Sequence, residues 1–295
     1  MTDSENISNH DEFYLLRQIP QVLRARDFHL YLSDNKRLID LWLNGGAAVM
    51  GHTPPNLLRE IKNTASRGLY APYPHFTERR LIKALTKIIP GRAFRIYAAP
   101  PPKTWNADLH ELKKIKEEER INIKLWRPFV NSDAPFKVEK ELYLIPVIPG
   151  IQTWRNDLPL GLCVIAAESE DLIKHLPPND PLSPILLAAA ARGIYDLLAS
   201  PQRGKPNLPR INKIFMNKQT TDRWHRQGIY ITLKNQPSQK EWESLFKKFL
   251  EAGFLLPPVP SHPMILPGEM SDGEEAKLAD ALLFNDSHPL AFQFS

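Results

Sequence analysis

Prolines divide this chain before any other signal is read: it carries 28 of them against 13 glycines. Each proline fixes φ, removes an amide donor and disfavours the helical conformation just before it, so prolines mark where elements start and stop. Roughly 9% proline stands above the usual level of about 5%, and roughly 4% glycine falls below the usual 7% or so. Pro20 closes a short N-terminal helix, Pro55 and Pro184 stand in the first turns of two helices, and Ala99-Pro100-Pro101-Pro102 cuts off a strand. Scarce glycine also bears on function. Glycine-rich turns let a backbone approach phosphate and aim several amides at it, and this chain has few places to build such a cradle.

With 295 residues, 42% of them hydrophobic and 24% charged, the chain can bury a large core in one or two domains. A formal charge of +5, spread without a dense basic stripe, gives no nucleic-acid footprint. One cysteine, Cys163, excludes an intramolecular disulfide and any multi-thiolate metal site, and it reads as a core residue rather than a nucleophile. The histidines show no metal-ligand spacing, and no Walker loop, dinucleotide fingerprint or nucleophile elbow is present. The polar, acidic N-terminus and the lack of a spanning apolar run lead to the expectation of a cytoplasmic protein with no membrane partner.

The alternation in residues 28–43 around Asp34-Asn35 predicts a β-hairpin. Residues 55–68 and 75–91 read as amphipathic helices, the second capped by Thr77 and buried through Leu81, Leu85, Ile88 and Ile89. Residues 93–98 read as a strand, and 106–123 as a highly charged exposed helix. Two buried strands are expected in 141–150 and 160–167, and a helix in 183–200 with Ser183 as its cap. The turn-rich stretch 200–213 marks a boundary. Beyond it come a strand at 228–233, a helix with the Ser238/Glu241 capping box, an extended segment at 254–260 and a closing helix with the Ser271/Glu274 box. Arg223, Trp224, His225 and Arg226 read as a solvated helix face with one buried ring, or as a phosphate contact.

Residues 25–62 contain, in order, Ile39-Asp40, Gly45-Gly46 and Gly51-His52-Thr53-Pro54-Pro55. This pattern resembles the N-terminal part of class III aminotransferases, pyridoxal-phosphate enzymes of fold type I, and among them the glutamate-1-semialdehyde aminotransferase-like proteins. The likeness continues through 68–91, 158–173 and 183–198. It implies an α/β fold: a shortened type I large domain with a small α+β domain. The expected organisation is residues 1–62 as N-terminal hairpin and helix belonging to the small domain, 63–204 as the reduced large domain, and 205–295 as the rest of the small domain. It also implies a homodimer, with the active site at the interface near residues 44–52.

The same resemblance implies a Schiff-base lysine, an acid opposite the pyridine nitrogen, and donors for the phosphate. Counting back from Leu158-Pro159-Leu160-Gly161 places Gln152 at the lysine position, and a carboxamide forms no imine. The strand expected to carry the acid has none after Glu141, with Ile145 and Pro146 at the matching positions. The phosphate turn reads Ala99-Pro100-Pro101-Pro102, and Asn179 stands near the second phosphate contact. Lys137, Lys140, Lys174, Lys205, Lys213 and Lys218 are the amines left to substitute.

No catalytic residue is therefore assigned, and no cofactor is expected. Gly51, His52, Gln152, Trp154 and Arg155 form a possible vestigial pocket. His52 is read as a turn-stabilising residue or a pocket lining, and Trp154-Arg155 as an anion clamp or as a plug in the emptied cavity. The expectation is a pseudoenzyme that acts by binding or assembly through an unknown protein or small-molecule partner. The alternatives are a divergent pyridoxal-phosphate aminotransferase or aminomutase, a small-ligand enzyme reusing the old cleft, and a remnant with no role.

Overall fold

The computed structural model describes residues 14–89, 93–100, 123–130, 142–145, 148–155, 158–174 and 176–283. Strands β1 (Val22–Arg26), β2 (His29–Leu32) and β3 (Arg37–Asp40) form an antiparallel meander. It turns at Asp27 and Asn35, whose φ values of 50° and 64° lie in the left-handed region. Aspartate and asparagine tolerate that region better than other side chains do. The second turn is the expected hairpin; the first joins to it, as a further strand, the extended stretch expected after Pro20.

Helices α1 (Pro55–Ala65) and α2 (Thr77–Ile88) lead to strands β4 (Ala93–Tyr97), β5 (Ile123–Leu125), β6 (Leu142–Ile145), β7 (Thr153–Arg155), β8 (Leu158–Leu160) and β9 (Cys163–Ala167). Then come α3 (Pro184–Ala199), α4 (Pro209–Ile214), α5 (Lys218–Arg223), β10 (Trp224–Gln227), β11 (Tyr230–Leu233), α6 (Gln239–Glu251), β12 (Phe254–Leu255), β13 (Met264–Ile265) and α7 (Asp272–Leu283). The result is the expected mixed α/β fold. Among the described residues, no helix is long and apolar enough to cross a membrane.

One sheet has the order β4-β9-β6-β5, with β9 antiparallel to both neighbours and β5 parallel to β6. All five residues of β9 are buried, as an inner strand covered on both faces requires. Their alternation divides two apolar clusters: Val164 and Ala166 join Leu81, Leu85, Leu187 and Ile194, while Cys163, Ile165 and Ala167 join Tyr97 and Ile173. Helix α3 packs on α1 and α2, and its run of small residues lets neighbours approach closely. At Gly193 a Cβ would overlap the carbonyl of Pro149, so the 148–150 segment crosses α3 only over a bare Cα.

The other main cluster joins the two ends of the described chain. Strand β12 pairs in parallel with β3, and Leu41 accepts from the Ile265 amide at 2.7 Å and donates to the Leu255 carbonyl at 2.9 Å. Leu30, Leu38 and Leu41 share one core with Trp224, Phe246, Phe249 and Leu278. The Trp224 indole donates to the Leu282 carbonyl at 3.0 Å, tying β10 to the end of α7. Arg203 is buried here, donating to the carbonyls of Val49 and Leu266 at 2.7 Å each; burial lowers its pKa to about 10.

Three local features differ from the sequence pattern. Thr77 lies inside the first turn of α2 rather than capping it; the cap position belongs to Phe76, and the Thr77 hydroxyl faces the His75 ring at 3.1 Å. Part of the turn-rich stretch is helical, because Pro209 opens α4 and the Glu275 carboxylate accepts from the Arg210 and Ile211 amides at 2.7 and 3.0 Å. Trp224, His225 and Arg226 lie on strand β10 rather than on a helix face, with Trp224 buried and His225 exposed. Both capping boxes are present, at Ser238/Glu241 and Ser271/Glu274. The expected charged helix at 106–123 lies almost wholly outside the described residues.

Candidate functional site

Strand β3 ends at Asp40, a carboxylate only 2% exposed, and the chain then folds tightly on itself. Leu43, Asn44 and Gly45 take φ values of 48°, 51° and 66° in succession. Left-handed backbone at two non-glycine residues costs of order 1–2 kcal/mol each, so something must hold the turn. Asp40 does so: one carboxylate oxygen accepts from the Trp42 and Leu43 amides at 2.8 and 2.9 Å, and the other meets His52 Nε2 at 3.0 Å. The His52 amide donates to the Asp27 carbonyl at 2.7 Å. Gly51, at φ 91°, lies so near Asp27 that a Cβ would press on its backbone at 3.2 Å. Gly51 and His52 thus clamp this turn against the first turn of the meander.

The left-handed turn meets the β7–β8 hairpin through Asn44. Its side-chain amide donates to the Gln152 carbonyl at 3.0 Å, and its oxygen accepts from the Trp154 indole at 2.9 Å. Trp154 lies over Gly45, where a Cβ would overlap the indole ring. His262 packs against Trp154 with ring centroids 4.4 Å apart, and its Nδ1 accepts from the Trp42 indole at 3.0 Å. That bond fixes Nδ1 as the unprotonated nitrogen. Trp42, Trp154 and His262 together form a small aromatic cluster at this corner.

Gln152 is 7% exposed, and neither its side-chain oxygen nor its nitrogen has a hydrogen-bond partner among the described residues. The oxygen lies 3.4 Å from where a Cβ on Gly161 would stand, so the carboxamide faces that glycine. Arg155 is exposed. The structure therefore brings Gln152 and Trp154 together, places His52 on the far side of the turn with Asp40, and leaves Arg155 in solvent. Asn44, Trp42 and His262 join the site without having been singled out. Asn44 could have been found from the Asn-Gly-Gly triplet, since asparagine before glycines favours left-handed turns; His262 carries no such signal.

Several of the other candidate residues lie within the described part of the chain. Lys174, Lys205, Lys213 and Lys218 are exposed, while Lys137 and Lys140 lie outside the described residues, as do Glu141, Pro146, Pro101 and Pro102. Ile145 is buried at the end of β6, and Pro100 is buried beyond β4. The Asn179 side chain accepts from the Ile96 amide at 3.0 Å and donates to Glu78 at 2.8 Å, joining β4 to α2. Cys163 is buried in β9, and burial pushes its thiol pKa up. Among the described residues no group of three His, Cys, Asp or Glu side chains is arranged to hold a metal.

No protein-family model matches the chain. It is 25% identical over 296 residues to an uncharacterized protein of Treponema pallidum, covering 86% of this chain and 91% of that protein. An uncharacterized protein of Borreliella burgdorferi is 26% identical over 267 residues, covering 88% and 89%. Among solved structures, the ornithine aminotransferase of Plasmodium yoelii superposes with a TM-score of 0.60 at 10% identity, over 90% of this chain and 92% of that one. An omega-transaminase from Sphaerobacter thermophilus gives 0.60 at 11% identity over 95% and 97%, and a transaminase with pyridoxal phosphate bound gives 0.62 at 12% over 90% and 89%. The fold is that of the pyridoxal-phosphate-dependent transferases.

Proposed function

We propose that this protein is an aminotransferase-like pseudoenzyme, a shortened and degenerate relative of the class III aminotransferases that has no transaminase activity and acts by binding or assembly. The observation that carries the reading is Gln152, a buried carboxamide where the sequence resemblance puts the cofactor's lysine. The residues at the cofactor positions do not fit pyridoxal phosphate. A carboxamide forms no imine, Ile145 cannot pair with a pyridinium, and Pro100 has no amide to offer a phosphate. Trp154 closes over Gly45 at the same corner, which favours the plug over the anion clamp, and the exposure of Arg155 points the same way.

The shared core of the meander and the C-terminal elements supports reading the meander with residues 205–295 as one small α+β body, within the proposed division of 1–62 and 205–295 from 63–204, although α1 packs on α3 of the larger part. A homodimer in the cytoplasm completes the proposal. Leu58, Tyr70, Tyr73 and Phe76, between 47% and 67% exposed, offer it an apolar surface.

Incubation of the purified protein with pyridoxal phosphate, followed by dialysis, absorbance spectroscopy and borohydride treatment, tests the reading. We expect no bound chromophore and no gain in mass. A cofactor fixed onto a lysine, or amino-group transfer to a keto acid, overturns it.

A further inference from the structure

We propose that the cleft between the end of strand β11 and one face of helix α6 binds a small molecule carrying two phosphate groups on a non-aromatic carbon backbone, such as a bisphosphorylated sugar or polyol. The inference goes beyond the pseudoenzyme reading and stands or falls apart from it, because the cleft is built from C-terminal elements alone. Its volume is about 450 Å³, within the range of about 300–1,000 Å³ that small-molecule sites occupy. A ligand of that size has room.

Lys240, Ser244 and Lys248 follow one another at intervals of four residues, so they form a single stripe along α6 and line one wall. Opposite stand Asn235 and Gln236, after β11, and Arg223, the last residue of α5. The Lys234 amide donates to the Arg223 carbonyl at 3.0 Å, which ties the arginine to the strand end, and the guanidinium lies 5.5 Å from the centre of the buried Trp224 ring. Of the cluster Arg223 to Arg226, only Arg223 lines the cleft, and Arg226 turns to Asn212 at 2.8 Å.

Three cations share this cleft with one acid. That acid, Glu241, accepts from the Ser238 amide at 2.7 Å, while Lys240 forms no ion pair among the described residues. By contrast Lys36 and Lys174, also exposed, stand 3.4 and 3.7 Å from Asp34 and Asp171. A cleft with an excess of positive charge concentrates anions. Lys240 and Lys248 are roughly 12 Å apart along the helix axis, which suits phosphates at the two ends of a ligand better than two adjoining ones. The planar fork of Arg223 can take two oxygens of one phosphate, and the neutral Asn235, Gln236 and Ser244 can bond hydroxyls between them. Leu233 and Pro237 give the carbon chain an apolar floor. Among the described residues no aromatic ring lines the cleft, so neither a nucleobase nor a nucleic-acid strand has a surface to stack on.

Titration calorimetry of the full chain with mannitol phosphorylated at both ends tests this, beside mannitol phosphorylated at one end and inorganic pyrophosphate. The bisphosphate is expected to bind about tenfold more tightly than either, the worth of one charge-assisted contact. Lys240→Gln and Lys248→Gln are each expected to weaken it about fivefold, and the double variant about 25-fold, since sites this far apart act additively. Neither lysine is buried, and circular dichroism verifies that the variants fold. Lys247→Gln removes an exposed charge of α6 outside the cleft and is expected to leave affinity unchanged. A dissociation constant above ~1 mM, equal affinity for either comparison ligand, or an equal loss in Lys247→Gln each overturns the proposal. So does binding confined to phosphatidylcholine vesicles holding a bisphosphorylated phosphatidylinositol, which would make the cleft a membrane contact.

Discussion

Asp40 holds two backbone amides and one imidazole with two oxygens, and three successive left-handed residues depend on it. Asp40→Ala leaves buried donors unmet and frees the turn, so we expect a loss of about 3 kcal/mol in urea unfolding. Asp40→Asn keeps one acceptor and is expected to lose less. A cost under ~1 kcal/mol for the alanine variant would show that the turn is held elsewhere. At this scale the sequence was only partly informative. Ile39-Asp40 and Gly51-His52 could be picked out because their order and spacing resemble those of the class III aminotransferases, and the exchange at Gln152 because the same resemblance sets the count back from Gly161. The partners of these residues could not. Nothing local to Trp154 indicates that its indole would find Asn44 and His262, since those contacts are set by how distant segments pack.

Besides the shared apolar core, one side chain of helix α7 reaches two strands of the meander. The Glu274 carboxylate accepts from Arg37 at 2.7 Å and from the Ser271 amide and hydroxyl at 2.9 Å each, and meets His29 Nε2 at 3.1 Å. Burial alone would raise its pKa, but the hydrogen bonds from Ser271 and His29 outweigh it and bring the value below the ordinary 4.5. A carboxyl whose folded pKa is depressed contributes stability above its unfolded pKa, and loses it as pH falls through the folded value. Glu274→Gln is therefore expected to reduce the loss of stability below about pH 4.5, measured as midpoint against pH; an unchanged slope would exclude this clasp. The elements themselves were largely legible. Both capping boxes, the α3 cap at Ser183 and the buried strands followed from local pattern, because caps and periodicity act over a few residues. Short elements were not: α4 is six residues long and is held by Glu275 from another helix, and β10 is called into a strand by its pairing with β11.

At the scale of the molecule, the exposed Tyr70, Tyr73 and Phe76 give the proposed homodimer a definite test. Sedimentation of the native protein is expected to show a dimer, and Tyr73→Glu with Phe76→Glu to shift it to monomer with an unchanged far-ultraviolet circular dichroism spectrum; a native monomer would refute the proposal. Fold class was readable from the ordered motifs, whereas the joining of β3 to β12 was not, since no local pattern specifies a pairing between segments so far apart. That pairing also sets a schedule for synthesis. Ile39 leaves the ribosome about 200 residues before Phe254, its strand partner, so at ~5–20 residues per second the meander waits on the order of 10–40 s for its fourth strand. For most of that interval Leu30, Leu38 and Leu41 lack Trp224, Phe246 and Phe249, which later share their core. A nascent chain halted before residue 254 would therefore present an unfinished sheet edge to whatever chaperone attends the exit tunnel.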